Sequence, residues 1–178
     1  MASAERPDPG AAPASRGTSR RNRLRDYQSQ LLARMQAARA DTTIRQRYLG
    51  IGIGDTRYLL DLLDAGEIVP PAPLTAVPLT QPWYLGLASI RGSLVGVIDL
   101  ACYLGQGDTA PAPEARLVTF APALGFNCAL LASRVYGLRQ VADMRADGDL
   151  LRDRDDIAWT PLSLAALVRD ERFLQVGL

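Results

Sequence analysis

Two apolar runs joined by a three-residue turn, within residues 81–105, constrain the fold of this chain more than any other feature. The first run covers residues 83–90 and the second covers residues 94–104, with Arg91-Gly92-Ser93 between them. A Gly-Ser pair is typical of a tight turn, so the segment is predicted to form two strands of a β-hairpin. Because an unpaired guanidinium is costly to bury, we expect Arg91 at the exposed tip of this hairpin.

Other short apolar runs predict further strands, each bounded by turn residues. The alternating glycines of residues 50–54 lack both the GxGxxG spacing and the lysine of a phosphate-binding loop, so this segment is predicted to be a strand leading into a turn. Five prolines between residues 70 and 82 exclude a regular helix there and indicate an extended surface connection. The predicted strands outside the hairpin cover residues 48–53, 57–61, 116–121, 126–133 and 135–141.

The two ends of the chain are predicted to differ from this strand-rich body. Residues 1–19 are rich in Ala, Pro, Ser and Gly without apolar periodicity, which predicts a disordered tail. Residues 20–46 carry apolar side chains three or four positions apart, which predicts a basic amphipathic helix. Such a helix can dock on its own domain or a partner, lie on an anionic membrane surface, or touch nucleic acid; its aliphatic stripe favours docking.

The C-terminal part is predicted to contain a charged loop and then a helix. Residues 143–156 are rich in aspartate but lack the ligand spacing of a calcium-binding loop, so a solvated loop is expected. Thr160 is a plausible N-cap and Pro161 suits the first helical position, ahead of an apolar face. Many short strands, a helix at each end and no βαβ alternation predict a mainly β fold of small barrels.

Composition excludes several classes of function. The chain has 178 residues and no histidine, which removes the commonest general base and the commonest zinc ligand. Its two cysteines, Cys102 and Cys128, lie in apolar runs and are predicted to be ordinary buried thiols. No catalytic residue, metal site or cofactor is expected. No run reaches the roughly 20 apolar residues of a membrane-spanning helix, so we expect a cytoplasmic protein without direct membrane insertion.

Charge divides the chain unevenly. Residues 1–47 hold ten arginines against four acids, whereas residues 48–178 hold ten arginines against fifteen acids. A small β-barrel nucleic-acid-binding protein with residues 20–47 as its arginine-rich arm is therefore one hypothesis. The acidic body and the lack of aromatics interleaved with basic residues argue against nucleic acid as the partner. An enzyme is disfavoured because no base is placed beside a nucleophile by the sequence.

The hairpin segment resembles a known family. Residues 87–100 resemble the "N-hydrophobic-RG … P-hydrophobic-hydrophobic-DL" segment of CheW-like coupling domains, the adaptors of bacterial chemosensory arrays. The segment Gly66-Glu67-Ile68-Val69 stands where that family carries a "V-x-E-I/V" element, and the resemblance covers about residues 47–175 of a predicted 47–178 domain. Ser89 replaces the usual asparagine and Gly96 the common proline. The flanking Pro-Trp-Tyr-Leu-Gly-Leu and Tyr-Leu-Gly look most like the pilus-linked PilI branch, which serves twitching motility.

The resemblance implies a mainly β fold of two interleaved SH3-like five-stranded β-barrels with a hydrophobic groove, besides the N-terminal and C-terminal helices. It also implies a non-catalytic adaptor that couples the cytoplasmic tip of a chemoreceptor to the regulatory domain of a CheA-like histidine kinase. Such an adaptor joins membrane-bound receptor arrays through its partners and, in this branch, controls type IV pilus motility. The candidate partner-binding residues are Glu67, Ile68, Val69, Ile90, Arg91, Gly92 and Val95.

Within this set, Arg91 and Glu67 are the residues that match the family motif. Because their charges are opposite, the hairpin can bring them together at a groove rim, or they form a surface ion pair without a role. Ile68, Val69, Ile90 and Val95 are candidates for the apolar groove wall, and plain core packing is the alternative for each.

Overall fold

The computed structural model of the chain describes residues 47–110 and 112–178. The predicted disordered tail (1–19) and the predicted basic helix (20–46) lie outside these residues, and so does nearly all of the arm on which the nucleic-acid hypothesis depends. None of the helices in the described part of the chain is long and apolar enough to cross a membrane.

Strands dominate the described residues, and the α-helices are only one turn long. Two short 3-10 turns lie at Pro122–Leu124 and Val141–Asp143. The strands and α-helices are, in chain order, β1 (Arg47–Ile53), β2 (Thr56–Asp61), β3 (Ala65–Val69), β4 (Leu74–Thr75), β5 (Tyr84–Ile90), β6 (Ser93–Ile98), α1 (Leu100–Tyr103), β7 (Arg116–Phe120), β8 (Cys128–Ala132), β9 (Arg134–Gln140), β10 (Arg145–Asp147), β11 (Leu150–Arg152), β12 (Ala158–Leu162), α2 (Leu164–Leu167) and α3 (Glu171–Leu174).

The strands form two mixed sheets, which confirms the mainly β prediction. Sheet 1 has the order β10-β11-β12-β2-β1-β9, and sheet 2 has the order β3-β7-β8-β6-β5-β4. Each sheet contains one parallel pair, β12 with β2 in sheet 1 and β6 with β8 in sheet 2. Each also has one strand more than the five expected, because the three-residue β10 and the two-residue β4 extend the sheets at their edges.

The main hydrophobic core joins the two sheets and the short helices. Sheet 1 contributes Ile51 and Leu60, and sheet 2 contributes Leu130, all fully buried. Leu100 of α1 and Phe173 of α3 complete this core from outside the sheets. The helices are too short to be stable alone, so their packing on this core is what holds them.

A second hydrophobic cluster lies on sheet 2. It brings together buried side chains of four strands, with Val69 of β3 packed against them. We call the six buried side chains of this group the sheet-2 cluster: Ala88, Ile90, Val95, Val97, Leu117 and Ala129.

The second apolar run of the hairpin is not one strand, contrary to the prediction. Strand β6 ends at Ile98, and Asp99 caps the short helix α1 by accepting hydrogen bonds from the N–H groups of Ala101 (3.0 Å) and Cys102 (3.3 Å). The same buried carboxylate accepts two 2.7 Å bonds from the N–H and hydroxyl of Thr109. A carboxylate that satisfies helix N–H groups ends the strand locally.

The predicted N-cap of the C-terminal helix is also wrong. Thr160 and Pro161 lie in strand β12, opposite Tyr58 and Leu59 of β2, and the helices that follow are capped by Ser163 and Asp170. Strand β11 pairs only with Ala158 and Trp159, so Pro161 lies where β12 has β2 as its one neighbour. A proline is tolerated in such an edge segment because it has no N–H to offer a second strand.

The charged loop of residues 143–156 contains a hairpin instead of remaining irregular. Strands β10 and β11 pair from Arg145↔Arg152 to Asp147↔Leu150. Ion pairs join the charged side chains along it, at Arg152–Asp147 (2.6 Å), Arg145–Asp156 (3.0 Å) and Arg154–Asp143 (2.6 Å). Three of the six aspartates in this segment are thus paired with neighbouring arginines.

Candidate partner-binding site

The tip of the β5–β6 hairpin carries an arginine in an unusual backbone conformation. Strand pairing ends at Ile90↔Ser93, so the turn consists of Arg91 and Gly92. Both residues have positive φ, +48° and +83°, as a two-residue hairpin turn of the type I′ kind requires. Such a φ is uncommon for a residue other than glycine, so the hairpin holds Arg91 in a backbone conformation that costs some conformational free energy. The predicted hairpin and the position of Arg91 at its tip are confirmed, but the turn has two residues instead of three, because Ser93 already pairs with Ile90.

Arg91 contacts Glu67, the other residue that the family motif singles out. The Nε atom of Arg91 lies 2.8 Å from Oε2 of Glu67, and their side chains are 77% and 48% exposed. An ion pair this exposed contributes only about 0–1 kcal/mol to folding. The pair therefore does little for stability, while both charged groups remain accessible to another molecule.

The contact shows that sheet 2 is curled, as a small barrel requires. Glu67 lies on the edge strand β3, whereas Arg91 lies between β5 and β6 on the far side of β7 and β8. In a flat sheet β3 and β6 would be about 14 Å apart, too far for these two side chains to meet. The curl thus creates a seam at which the charges meet, and we call Glu67 and Arg91 the seam pair.

The predicted groove-wall residues separate into two groups. Ile90 and Val95 are 9% and 4% exposed and belong to the sheet-2 cluster, and the half-buried Val69 packs against it. Core packing, the alternative that the sequence left open, describes all three. Ile68 is different because it is 45% exposed. The accessible part of the predicted set is therefore Glu67, Ile68, Arg91 and Gly92.

Two exposed leucines near the hairpin were missed by the sequence analysis. Leu94 is the second residue after the turn, lies opposite Ser89 and is 64% exposed. Leu74 of β4 pairs with Ala88 of β5 and is 45% exposed. A signal for Leu94 was present: Val95 and Val97 face the sheet-2 cluster, and strand alternation then places Leu94 on the opposite face. The amide of Asn127 donates a short hydrogen bond to the Leu94 carbonyl and holds this end of β6.

Comparison with known proteins identifies the family. Residues 47–176 match the CheW-like domain family, and this match covers almost all of the described part of the chain. The chain belongs to the CheW-like domain family. The seam pair and the hairpin thus lie inside a CheW-like domain, in the segment whose residues suggested that family.

Three proteins similar to this CheW-like chain are PilI, FrzA and CheW, each from a different bacterium. Protein PilI of Pseudomonas aeruginosa is 27% identical over 96 residues, which cover 53% of each chain. Protein FrzA of Myxococcus xanthus is 27% identical over 107 residues, or 60% of this chain and 66% of FrzA. Chemotaxis protein CheW of Helicobacter pylori is 32% identical over 85 residues, or 47% of this chain and 52% of that protein. The chain thus spans about half to two thirds of the length of these relatives.

A solved structure supports the fold. The scaffolding protein TtCheW of Thermoanaerobacter tengcongensis superposes with a TM-score of 0.56 over 68% of this chain and 92% of TtCheW, at 20% sequence identity. At this identity the likeness shows that the two proteins share the CheW fold.

Proposed function

We propose that this CheW-like protein is a non-catalytic adaptor that couples chemoreceptors to a CheA-like histidine kinase. The supporting observation is the seam pair: two motif residues of opposite charge meet at 2.8 Å, remain exposed, and contribute little to folding. The exposed Ile68 lies beside Glu67 on β3, and the exposed Leu94 follows the turn that carries Arg91. Partner interfaces commonly have an apolar centre and a polar rim in which arginine is frequent, and the exposed apolar residues beside the seam pair fit this arrangement.

The seam pair and its apolar neighbours are the proposed contact surface, with Glu67, Ile68, Arg91, Gly92 and Leu94 as its members. The buried Ile90 and Val95 and the half-buried Val69 support this surface from beneath. The proposed partners are the regulatory domain of the kinase and the cytoplasmic tip of a receptor. In this proposal the protein is cytoplasmic and reaches the membrane-bound array only through them.

Control of twitching motility through type IV pili is the finer part of the proposal. It is supported by the similarity to PilI and by the Pro-Trp-Tyr-Leu-Gly-Leu sequence that precedes the hairpin. Disruption of the chromosomal gene should then reduce surface motility by pili and leave swimming unchanged.

The decisive experiment is calorimetric titration of the full chain into the regulatory domain of a CheA-like kinase from the same organism. We expect Arg91→Glu to weaken binding at least about tenfold, because the charge reversal repels Glu67 and removes the exposed cation. Arg169→Glu is the matched control, since Arg169 is exposed and forms no ion pair within the described residues.

The outcomes separate the possible partners. Loss of kinase binding by folded Arg91→Glu, with normal binding by Arg169→Glu, supports the seam pair as the kinase contact. If the wild type binds only the receptor tip, the same two variants assign the surface to the receptor. If the folded wild type binds neither partner, the adaptor proposal is wrong.

A further inference from the structure

Strand β3 contains a β-bulge at Glu67, the acidic member of the seam pair. Its pairing with β7 runs from Ala65↔Phe120 to Ile68↔Val118, so Gly66 and Glu67 together face one residue, Thr119. Two residues opposite one define a β-bulge, which bends the strand and redirects the side chains that follow it.

The hydroxyl of Thr119 stabilises this bulge by hydrogen bonds to both backbone polar groups of Glu67. Oγ1 accepts a 2.7 Å hydrogen bond from the Glu67 N–H and donates a 3.3 Å bond to the Glu67 carbonyl. One side chain thus replaces the backbone partners that the interrupted ladder does not supply. Glycine is required beside it, because a Cβ on Gly66 would lie 2.5 Å from Thr119 Oγ1 and 2.9 Å from the Phe120 carbonyl oxygen.

The bulge decides which residue of β3 faces outward at the seam. With it, Val69 pairs with Leu117 and packs on the sheet-2 cluster. In an unbroken ladder Ile68 would take the place opposite Leu117, and every later side chain of β3 would move to the other face. Glu67 would then take the place of Ile68 opposite Val118 and would not be directed by the bulge towards Arg91.

We propose that Thr119 is a positioning residue for the partner-binding surface. By fixing the peptide groups of Glu67, it sets the carboxylate where it meets Arg91 across the seam, and so orders the hairpin tip before a partner arrives. An exposed pair of long side chains is too weak to order itself, and a surface that is ordered in advance loses less conformational entropy on binding. This inference rests on the proposed function for its effect on binding, but its effect on the seam pair is measurable without a partner.

The test compares Thr119→Val, which keeps the shape and removes the hydroxyl, with Thr119→Ser, which keeps the hydroxyl. Thr160→Val is the matched control in another strand, where the hydroxyl makes no hydrogen bond within the described residues. Nuclear magnetic resonance of the free full chain measures hydrogen exchange at the Glu67 amide and at Hε of Arg91. In Thr119→Val we expect both exchange rates to rise about tenfold, and in the other two variants to stay near the wild-type values.

Binding supplies the second readout. Thr119→Val should weaken partner binding about tenfold, and this loss should disappear when Glu67→Gln is already present, because both changes act through the same carboxylate. Equal losses in the two backgrounds would show a general structural effect and overturn the inference. Unchanged exchange at Arg91 in folded Thr119→Val would overturn it even if no partner binds, which separates its failure from that of the adaptor proposal.

A second variant applies if Thr119→Val does not fold. Gly66→Ala places a methyl group against the Thr119 hydroxyl and should loosen the same bulge, with the same rise in exchange at Arg91. Wild-type exchange at Arg91 in a folded Gly66→Ala variant would contradict the role of the bulge.

Discussion

Asp153 illustrates, at the scale of one residue, how a half-exposed carboxylate can act as a structural anchor. Its Oδ2 accepts a 2.9 Å hydrogen bond from the indole N–H of Trp159, and its Oδ1 accepts 3.0 Å bonds from the N–H groups of Asp155 and Ile157. Burial alone would raise the pKa of Asp153, but these bonds and the charge of Arg139 lower it below its ordinary value. The carboxylate therefore ties the end of the β10–β11 segment to Trp159.

The lowered pKa of Asp153 makes the stability of the folded chain depend on pH. Because the pKa of Asp153 is lower in the folded chain than in the unfolded one, its contribution is complete above the unfolded pKa of about 3.9 and is lost as pH falls through the folded pKa. Asp153→Asn should lower the free energy of unfolding at pH 7 by about 1 kcal/mol, with a smaller loss near pH 3. Urea denaturation at the two pH values checks this, with the exposed Asp149→Asn as control; an equal loss at both would contradict it.

The cysteines behave as the sequence predicts for structural thiols, with one difference of degree. Both are free; Cys128 is buried and Cys102 is half-buried. Burial raises the pKa of Cys128 to about 11, so this thiol is protonated at neutral pH. Burial, and then a hydrogen bond with Asp108, raise the pKa of Cys102 as well.

Residue-level prediction from the sequence succeeded where charge or turn chemistry decided the outcome. Arg91 was placed at the tip because a guanidinium resists burial. Glu67 was singled out by the resemblance to the family motif, and its charge, opposite to that of Arg91, made a contact between the two plausible. The sequence did not reveal whether Ile90 and Val95 line a partner groove or pack in the core. Alternation along a strand shows which face is apolar, but not whether that face meets a partner or the inside of a curled sheet.

At the scale of elements, buried polar residues explain what hydrophobic periodicity missed. The run 94–104 is apolar enough for one long strand, but the single charged residue within it, Asp99, is 2% exposed and caps α1. Gly50 of β1 depends on another distant contact, because a Cβ there would lie 2.9 Å from the ring of Trp159, which belongs to β12. The strand was predictable from the sequence. Its contact with Trp159, a residue more than 100 positions away, was not.

The Asp99 cap gives a test of this element. Thr109→Val removes the 2.7 Å hydroxyl donor to Oδ1 of a buried carboxylate, so it should lower the free energy of unfolding by about 1–3 kcal/mol. Thr109→Ser keeps the donor and should recover most of that loss. Urea denaturation measures both. A valine variant as stable as the serine variant would show that the bond does not anchor the segment that follows α1.

For the whole described domain, the main core determines whether the two sheets unfold together. Phe173 of α3 is fully buried and stacks on Trp83 at 5.5 Å between ring centroids, and its ring also faces Tyr103 at 5.5 Å and Phe126 at 5.9 Å. Asp170, the N-cap of α3, accepts a 2.8 Å hydrogen bond from the Tyr103 hydroxyl. The C-terminal helix therefore completes a core to which side chains of both sheets belong.

Removal of this ring should consequently affect both sheets at once. Phe173→Ala should lower the free energy of unfolding by about 3–5 kcal/mol, a large part of the roughly 5–15 kcal/mol of a typical domain. Leu174→Ala, the half-exposed neighbour in the same helix, should lower it by less than about 1 kcal/mol. Denaturation followed by tryptophan fluorescence and by far-ultraviolet circular dichroism should give coincident curves for both variants, because the sheets share one core. If the two curves separate in Phe173→Ala, the sheets are independent folding units and α3 joins them without making them cooperative.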